Sequence, residues 1–295
     1  MKIEYNILWL DDAKQEIEEG EYHLELFDFV KSLGFLPQIE LVRTEKEFFE
    51  VLNIKQWDLI MTDYNLDEIS ENPEKGDEVI GKIRKKDVLT EILFYTKKDD
   101  KDRKVGFNRI TFIDTSKMPG TIHNEKVLIK AKELIELTVR KFQNIVVMRG
   151  MIMNETSSLD IEFTDILEKI ILNNEQAIIK IKERYKKFNS DNINEAEALT
   201  LKDLLYKIGA SHRWKGLKEN IAKDEVYKIL LDYEEDIIIT RNKFAHAILE
   251  EDENGRKYFK DKKGGIDFNE EKCKEIRINI SKHKQNIINL KSKLP

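Results

Sequence analysis

The fold of the N-terminal half is decided by the segment Ile7-Leu8-Trp9-Leu10-Asp11-Asp12, an apolar run that ends in two acidic residues. A short apolar run of this kind predicts a buried strand, here Tyr5–Leu10. Amphipathic stretches alternate with similar runs as far as residue 120, which predicts a doubly wound sheet of five parallel strands. The other strands are predicted at Gln38–Val42, Trp57–Thr62, Glu91–Tyr95 and Ile110–Asp114, and the helices at Tyr22–Leu33, Glu45–Leu52, Asp77–Lys85 and Lys101–Phe107.

The acidic residues of this half follow predicted strands. Asp11 and Asp12 come directly after the first strand, and Asp63 comes directly after the third. Because ligands of a doubly wound sheet bind at the carboxyl ends of its strands, we expect the three carboxylates to meet at one edge. Three close carboxylates repel one another unless a cation intervenes. A hard divalent ion that prefers oxygen ligands, Mg²⁺ above all, meets that requirement.

Two more polar residues follow the later strands. Thr96 comes after the fourth strand, and Lys117 comes shortly after the fifth. A hydroxyl and an ammonium group at the same edge are suited to holding the oxygens of a phosphoryl group.

Together these segments resemble response-regulator receiver domains over residues 1–120. Ile7–Asp12 is similar to the acidic pair that follows the first strand in that family, and Asp58-Leu59-Ile60-Met61-Thr62-Asp63-Tyr64-Asn65-Leu66 is similar to its phosphoacceptor segment. The resemblance implies a flavodoxin-like fold in which Asp63 is a nucleophile that takes phosphate from a histidine kinase. It also implies that Mg²⁺ is bound by Asp11, Asp12, Asp63 and the carbonyl of Asn65, and that the phosphate is read by Thr96 and Lys117.

The sequence becomes helical in pattern after Pro119-Gly120. Apolar residues recur at three- and four-residue spacing from Val127 to Val146, and no Pro or Gly interrupts them until Gly150. This pattern predicts one continuous helix between two domains. We therefore divide the chain into a receiver-like α/β domain at 1–120, a connecting helix at 121–150 and an all-α domain at 151–295.

Residues 151–295 are predicted to form a helical bundle with a small hairpin. The polar segment Asn154–Ser158 predicts a turn, and Gly209 predicts a helix stop that leaves His212 and Trp214 in a packed loop. The hairpin is predicted at Lys257–Lys260 with Gly264-Gly265-Ile266. The helices are predicted at Leu159–Leu172, Glu175–Phe188, Leu199–Gly209, Glu225–Leu249 and Asn269–Leu290.

The most distinctive polar segment of this half is Arg241-Asn242-Lys243-Phe244-Ala245-His246. It follows an apolar stripe that includes Tyr233, Ile237 and Ile238 at helical spacing. Arg carries a permanent charge in a fork of donors that matches a phosphate, and His exchanges a proton near neutral pH. The pair is therefore suited to chemistry on a phosphodiester.

The same segment resembles the signature of HEPN domains (higher eukaryote and prokaryote nucleotide-binding), in which Arg and a polar residue precede His at this spacing. The resemblance implies a helical bundle that forms a homodimer and cleaves RNA without a metal, in toxin or antiphage defence systems. Arg241, Asn242 and His246 would be the catalytic residues, and the cleaved RNA would end in a 2′,3′-cyclic phosphate. Inactive members that only bind partners also belong to that family.

Composition sets wide bounds on the class of protein. The chain has 295 residues, of which 40% are hydrophobic, and four prolines, which suits two compact units. It carries a net charge of −6, and the excess of acid lies in the first half, so we expect an RNA partner at the second half and neither DNA nor membrane partners. The lone Cys273 and the lack of a secretory or membrane-spanning run predict a reducing cytoplasm.

Two other functions fit the same residues. The first is a signalling adaptor without catalysis, in which the helical half dimerises or binds another protein under control of the receiver-like half. In the second, Asp63 is never phosphorylated and the α/β half recognises something else, such as a trigger protein. The intact Arg241 and His246 favour the ribonuclease, because an adaptor does not need them.

Overall fold

The computed structural model describes residues 3–66, 76–97, 108–120, 122–142, 144–188, 198–221, 232–255, 257–261, 264–266 and 268–292. The chain divides into two compact units. One is an α/β unit at residues 4–144, and the other is a helical unit at residues 145–295 that also takes residues 1–3. The predicted helix at Lys101–Phe107 lies outside the described residues.

The α/β unit is built on a five-stranded parallel sheet, as predicted. The strand order is β2-β1-β3-β4-β5, which is the flavodoxin-like order with its switch point between β1 and β3. Each pair of neighbouring strands is parallel. The strands are β1 (Glu4–Leu10), β2 (Leu36–Val42), β3 (Leu59–Asp63), β4 (Glu91–Thr96) and β5 (Ile110–Asp114).

Helices cover both faces of this sheet because successive residues of each strand point to opposite sides. In β1, Trp9 belongs to a core with α2 and α5, whereas Leu8 belongs to a second core with α3 and α4. All of these strand residues are buried, which explains the continuous apolar runs in the sequence. The helices are α1 (Lys14–Glu19), α2 (Tyr22–Ser32), α3 (Glu45–Leu52), α4 (Gly76–Lys85) and α5 (His123–Phe142).

The prediction of one continuous connecting helix is wrong. The helix α5 ends at Phe142, and a second helix, α6 (Ile145–Ile171), begins after the non-helical Asn144. Asn is a residue that often stands immediately before a helix, where its polar side chain competes with helical backbone bonds. The apolar spacing on both sides of residue 144 is helical, so periodicity alone did not reveal the break.

The predicted turn at Asn154–Ser158 is also wrong, since these residues lie inside α6. Glu155 and Thr156 are buried there, and the Thr156 hydroxyl donates a hydrogen bond to the Ile152 carbonyl at 2.7 Å. Polar residues are accepted in this helix because the segment contains neither Pro nor Gly and because apolar residues such as Met151 and Leu159 bury the same face.

The helical unit packs further helices around α6. The helix α11 (Glu270–Lys291) buries Ile276 and Ile280, and the rings of Phe163, on α6, and Tyr233 stack at 4.6 Å. Within the described residues, no helix is both long and apolar enough to cross a membrane. Among the described residues, the other helices of this unit before residue 232 are α7 (Glu175–Phe188), α8 (Leu201–Lys207) and α9 (Ala210–Ile221).

The long helix predicted at Glu225–Leu249 takes a different form. Residues 222–231 lie outside the described part of the chain, Glu234–Ile239 is a π-helical turn, and α10 (Thr240–His246) follows it. The helix ends at His246 because Ile248–Glu251 forms strand β6, which pairs with β7 (Lys257–Asp261). The predicted hairpin is confirmed as the antiparallel pair of β7 and β8 (Gly264–Ile266), and β6, which was not predicted, extends it to a three-stranded sheet in the order β6-β7-β8.

Candidate functional site

The carboxylates of Asp11, Asp12 and Asp63 meet at one edge of the parallel sheet. One oxygen of each lies within 4.8 Å of the others. The strand register explains why they are close. Leu10 of β1 pairs with Thr62 of β3, so the next residue of each strand, Asp11 and Asp63, lies at the same edge of the sheet. Asp11 and Asp12 are buried, and Asp63 is partly buried. The sequence therefore located this cluster correctly.

Burial and mutual repulsion make the cluster unfavourable as three free anions. Burial and the nearby charges of Asp11 and Asp12 raise the pKa of Asp63 to about 8. Burial likewise raises the pKa of Asp11 to about 6. Such groups either keep a proton or share a cation. Three oxygen ligands of this charge and spacing fit a divalent ion such as Mg²⁺, which is bound in proteins through one or two carboxylates and water.

A hydrogen-bonded chain beneath the cluster fixes Asp11. The Tyr95 hydroxyl donates a hydrogen bond to Asp11, and the indole Nε1 of Trp9 donates to the Tyr95 oxygen at 2.6 Å. The second oxygen of Asp11 accepts from the backbone N–H of Ala13 at 2.9 Å. Both aromatic side chains are buried, so the orientation of the Asp11 carboxylate is set by the core of the unit. No motif predicted this role of Tyr95.

Asn65 and Thr96 border the same cluster. The Asn65 side-chain amide donates to the Thr96 hydroxyl at 2.9 Å, and the Asn65 backbone N–H donates to a carboxylate oxygen of Asp63 at 3.3 Å. Thr96 is fully buried. The geometry thus brings Asn65 and Thr96 together with Asp63, and it gives the Asn65 side chain a contact that the sequence did not suggest.

Lys117 lies away from these contacts. Its ammonium group pairs with Asp114 at 2.9 Å, and 62% of its side chain is exposed. The residue directly after β5 is Thr115, whose hydroxyl donates to the Thr96 carbonyl at 2.9 Å, and a 3₁₀ turn at Thr115–Lys117 then redirects the chain. The role of Lys117 in reading a phosphate therefore stays a prediction without a contact to support it.

Lys97 is a cation near this edge that no motif in the sequence predicted. It follows Thr96 directly. Its positive charge lowers the pKa of Asp11 and so opposes the larger effect of burial, which raises it. Its position in the sequence could have indicated this, because a residue immediately after a parallel strand lies at the ligand-binding edge of the sheet.

The predicted residues of the helical half line a single cleft. Arg241, Asn242 and His246 share it with Ala245, and the cleft has a volume of about 490 Å³. Positions 241, 242, 245 and 246 lie on one face of α10, since residues four apart on a helix are neighbours. The rest of the lining comes from α6, the end of α8 and the start of α9, with the residues Asp160, Tyr206, Lys207, Ile208, Gly209, Ala210, Ser211, His212 and Arg213.

The π-helical turn before α10 explains how Arg241 comes to face the cleft. Tyr233, Ile237 and Phe244 are buried. If the helix were α-helical throughout, Arg241 would lie on the same buried face as Tyr233 and Ile237, because the three residues are spaced four apart. A π-helical turn inserts one extra residue and rotates the residues after it about the helix axis. Arg241 is then only partly buried, and its Nε has no hydrogen-bond partner among the described residues.

Aromatic and backbone contacts hold the other side of α10. The ring of Phe244 meets those of Phe259 and Phe268 edge-on at 5.7 and 5.4 Å. The Arg149 guanidinium donates to the Ala245 carbonyl at 3.1 Å. Asn242 and His246 remain exposed beside this anchored side, so their side chains are presented to the cleft from a fixed backbone.

The prediction that His212 and Trp214 lie in a packed loop is wrong. Gly209 precedes α9, and both residues lie in the first turns of that helix. Trp214 is buried and donates from its indole to Glu234 at 3.0 Å. His212 lines the cleft with His246. Sequence reasoning missed it because a Gly between two helical patterns marks a start as readily as a stop.

No family model matches the chain. No curated protein matches it either. Solved structures with a likeness to the chain include the receiver domain of Francisella response regulator 1452, which is 16% identical over 45% of this chain and 98% of its own, with a TM-score of 0.32. A signal receiver domain of an HD domain-containing protein from Pseudomonas fluorescens is 12% identical over 46% and 98%, with a TM-score of 0.32. The response regulator TrrA from Thermotoga maritima, in complex with Mg²⁺ and BeF, is 21% identical over 44% and 98%, with a TM-score of 0.31.

Proposed function

We propose that the protein is a signalling protein whose α/β unit accepts a phosphoryl group on Asp63. The observation that carries the proposal is the meeting of Asp11, Asp12 and Asp63 within 4.8 Å at the ligand-binding edge of the sheet. A bound Mg²⁺ would neutralise phosphoryl oxygens at this edge. A histidine kinase is the expected phosphodonor in the cell.

The reaction assigns a separate task to each residue. An oxygen of Asp63 attacks phosphorus, a bond from oxygen to phosphorus forms, and the bond from phosphorus to the donor breaks, which leaves an acyl phosphate on Asp63. The attacking carboxylate must be deprotonated, and its pKa is about 8 in the protein alone. Asp11 and Asp12 would hold the cation, and the Thr96 hydroxyl would donate to a phosphoryl oxygen.

The test is labelling of the full-length protein with radioactive acetyl phosphate and Mg²⁺. We expect the wild-type protein to take up label and the Asp63→Asn variant to take up none. Asp58→Asn is a matched control, because Asp58 accepts from the Asn6 backbone at 2.8 Å at the opposite end of the sheet, and this variant should label normally. Equal labelling of Asp63→Asn and wild type would exclude Asp63 as the acceptor.

We also propose that the helical unit cleaves RNA, on the observation that Arg241, Asn242 and His246 line one cleft. Arg241 would stabilise the negative charge that grows on the phosphoryl oxygens, and His246 would transfer a proton in the attack of a 2′-hydroxyl. A homodimer that brings two such clefts together is part of this proposal, and toxin or antiphage defence is the setting that it suggests.

RNA cleavage by the purified full-length protein tests this second proposal. We expect single-stranded RNA to be cut to products with 2′,3′-cyclic phosphate ends, and we expect His246→Ala to abolish the cutting. Lys243→Ala is the control, since Lys243 is exposed on the same helix and does not line the cleft. If the wild-type protein leaves RNA intact while it still accepts phosphate on Asp63, the helical unit acts as an adaptor instead.

A further inference from the structure

The cleft of the helical unit contains two imidazoles. His246 lines it from the last turn of α10, and His212 lines it from the first turn of a different helix, α9. Cleavage of RNA by its own 2′-hydroxyl requires two proton transfers, one from the attacking hydroxyl and one to the leaving 5′-oxygen. Because the attacking and leaving oxygens lie roughly in line on opposite sides of phosphorus, two separate imidazoles suit the two transfers, so the presence of a second imidazole in the same cleft bears on the reaction proposed above.

His212 is presented to the cleft by an anchored backbone. Its N–H donates to the Gly209 carbonyl at 2.8 Å, and its carbonyl accepts from the Arg184 guanidinium at 3.1 Å. The next two residues, Arg213 and Trp214, are both buried. The Arg213 guanidinium donates to the carbonyls of Leu205 and Ile208 at 2.8 and 3.0 Å and also pairs with Asp160. The side chain of His212 is itself only partly buried.

The surroundings of His212 favour its neutral form. Partial burial lowers the pKa of His212, and the positive charges of Lys215, Arg184 and Lys187 lower it further. Those three cations lie on α9 and α7. The charged groups that share the cleft from the remaining walls are Asp160 on α6, Lys207 on α8, Arg213 on α9, and Arg241 and His246 on α10. A neutral imidazole accepts a proton, and the excess of positive charge suits a polyanionic substrate such as RNA.

We propose that His212 is the general base of the cleft and that His246 of the same subunit is its general acid, an inference that rests on the proposed RNA cleavage. A ring nitrogen of His212 takes the proton of the 2′-hydroxyl while the 2′-oxygen forms a bond to phosphorus. The bond from phosphorus to the 5′-oxygen breaks, and protonated His246 gives its proton to that oxygen. The products are a 2′,3′-cyclic phosphate and a 5′-hydroxyl, with no other reactant consumed.

A substrate with a sulfur leaving atom separates the two roles. An RNA oligonucleotide with one linkage that the wild-type protein cuts is prepared twice, with oxygen or with sulfur at the 5′-bridging position. Sulfur leaves without being protonated, so loss of a general acid is repaired by this substrate, whereas loss of a general base is not. The protein is used with the variants His212→Ala, His246→Ala and Lys243→Ala, of which the last changes an exposed residue of α10 that does not line the cleft.

On the oxygen substrate, we expect His212→Ala and His246→Ala each to slow cleavage by about 10²- to 10⁴-fold, the usual contribution of general acid or base catalysis, and Lys243→Ala to remain near the wild-type rate. On the sulfur substrate, we expect His246→Ala to recover most of the wild-type rate and His212→Ala to stay slow. Recovery of His212→Ala instead would reverse the two roles and overturn the proposal.

Failure of this inference is distinct from failure of the proposed function. If His246→Ala is inactive while His212→Ala cleaves the oxygen substrate at the wild-type rate, the protein is a ribonuclease and His212 is not its base. If the wild-type protein cuts neither substrate, both proposals fall. Circular dichroism of each variant checks that the helices are intact, and His212→Gln supplies a second variant of similar size if His212→Ala proves unstable.

Discussion

The Tyr95 hydroxyl donates its hydrogen to Asp11, and the same oxygen accepts the indole N–H of Trp9. One buried hydroxyl therefore connects the core of the α/β unit to the acidic cluster at its edge. The hydrogen bond from Tyr95 lowers the pKa of Asp11, against the larger effect of burial, which raises it. Tyr95 thus acts on a carboxylate that we propose as a cation ligand, although no receiver-like motif in the sequence includes Tyr95.

Replacement of Tyr95 by Phe is expected to weaken both the fold and the cation site. The Trp9 N–H is left buried without its acceptor, which costs about 1–3 kcal/mol of unfolding free energy. Asp11 loses a hydrogen bond that favours its charged form, so its affinity for Mg²⁺ near neutral pH should fall. Urea denaturation and Mg²⁺ titration measure the two effects. Tyr5→Phe is the control, because its hydroxyl contacts Thr138 at 2.6 Å, and it should lower stability without changing Mg²⁺ affinity.

The stability of the protein without divalent cations is expected to fall as pH rises from about 4 to about 8. The folded protein keeps a proton on Asp63 up to a pKa of about 8, whereas an ordinary Asp loses it near 3.8. Between those values the folded state binds more protons than the unfolded state, so unfolding free energy decreases with pH. We expect the free energy of unfolding to fall by at least ~1 kcal/mol between pH 5 and 8, which is close to the energy that corresponds to a shift of one pKa unit.

Two additions test the origin of this pH dependence. Millimolar Mg²⁺ should restore stability at pH 8 and have little effect at pH 5, because the cation competes with protons for the same carboxylates. The Asp63→Asn variant should show a flatter profile, since it has no proton to lose at this position. A profile that is identical in wild type and Asp63→Asn would mean that Asp63 does not titrate in this range. Chemical denaturation at each pH provides the measurement.

Lys97 and Lys117 are expected to differ in their effect on phosphorylation. Lys97 acts electrostatically on Asp11, whereas Lys117 pairs with Asp114 and is 62% exposed. We expect Lys97→Ala to slow labelling by acetyl phosphate by several-fold, on the order of 1 kcal/mol for an exposed charge. Lys117→Ala should have the smaller effect. The reverse order would indicate that Lys117 moves to the acidic edge when phosphate is bound, as the family resemblance implies.

The buried pair of Arg213 and Asp160 is expected to be essential for the helical unit. Arg213 is 6% exposed, and it joins α6 to the end of α8 through Asp160 and two backbone carbonyls. Arg213→Ala should lower the free energy of unfolding by about 3–5 kcal/mol, because it leaves the Asp160 charge and these carbonyls without their partner. The exposed pair of Lys202 and Asp165, at 3.5 Å, is the control, and Lys202→Ala should cost under ~1 kcal/mol. Thermal unfolding compares the two variants, and equal losses would contradict this view of the pair.

Several features of the chain could be predicted from the sequence because each depends on a pattern within a short segment. Apolar runs such as Ile7–Leu10 identify buried strands, since both of their faces must be covered. The acids that come after them were expected to meet at one edge, because parallel strands present their carboxyl ends together. The helical spacing before Arg241 likewise predicted that Arg241 and His246 would emerge at the end of an amphipathic helix.

Other features depend on contacts between distant residues, and no local signal contains them. Whether Asn144 interrupts a helix or Asn154–Ser158 continues one depends on which side chains are buried by the rest of the unit. The pairing of Lys117 with Asp114 results from the turn after β5, and the role of Tyr95 results from its position beneath Asp11. His212 and His246 are 34 positions apart and on separate helices, and only the packing of α9 against α6 and against the π-helical turn that precedes α10 gives them one cleft.

The amino-acid sequence by itself determined the alternation of strands and helices, the acidic edge of the sheet and the Arg-Asn and His motif, because periodicity and strand order act through neighbouring residues. Only the tertiary structure decided that Lys97 acts on Asp11 and that His212 shares a cleft with His246. Side-chain packing brings these residues together although they are far apart in the sequence. The π-helical turn at Glu234–Ile239 illustrates the difference. Its composition is that of an ordinary helix. Tyr233, Ile238 and Phe244 are all buried, and the turn accommodates their burial by inserting one extra residue, which turns Arg241 toward the cleft.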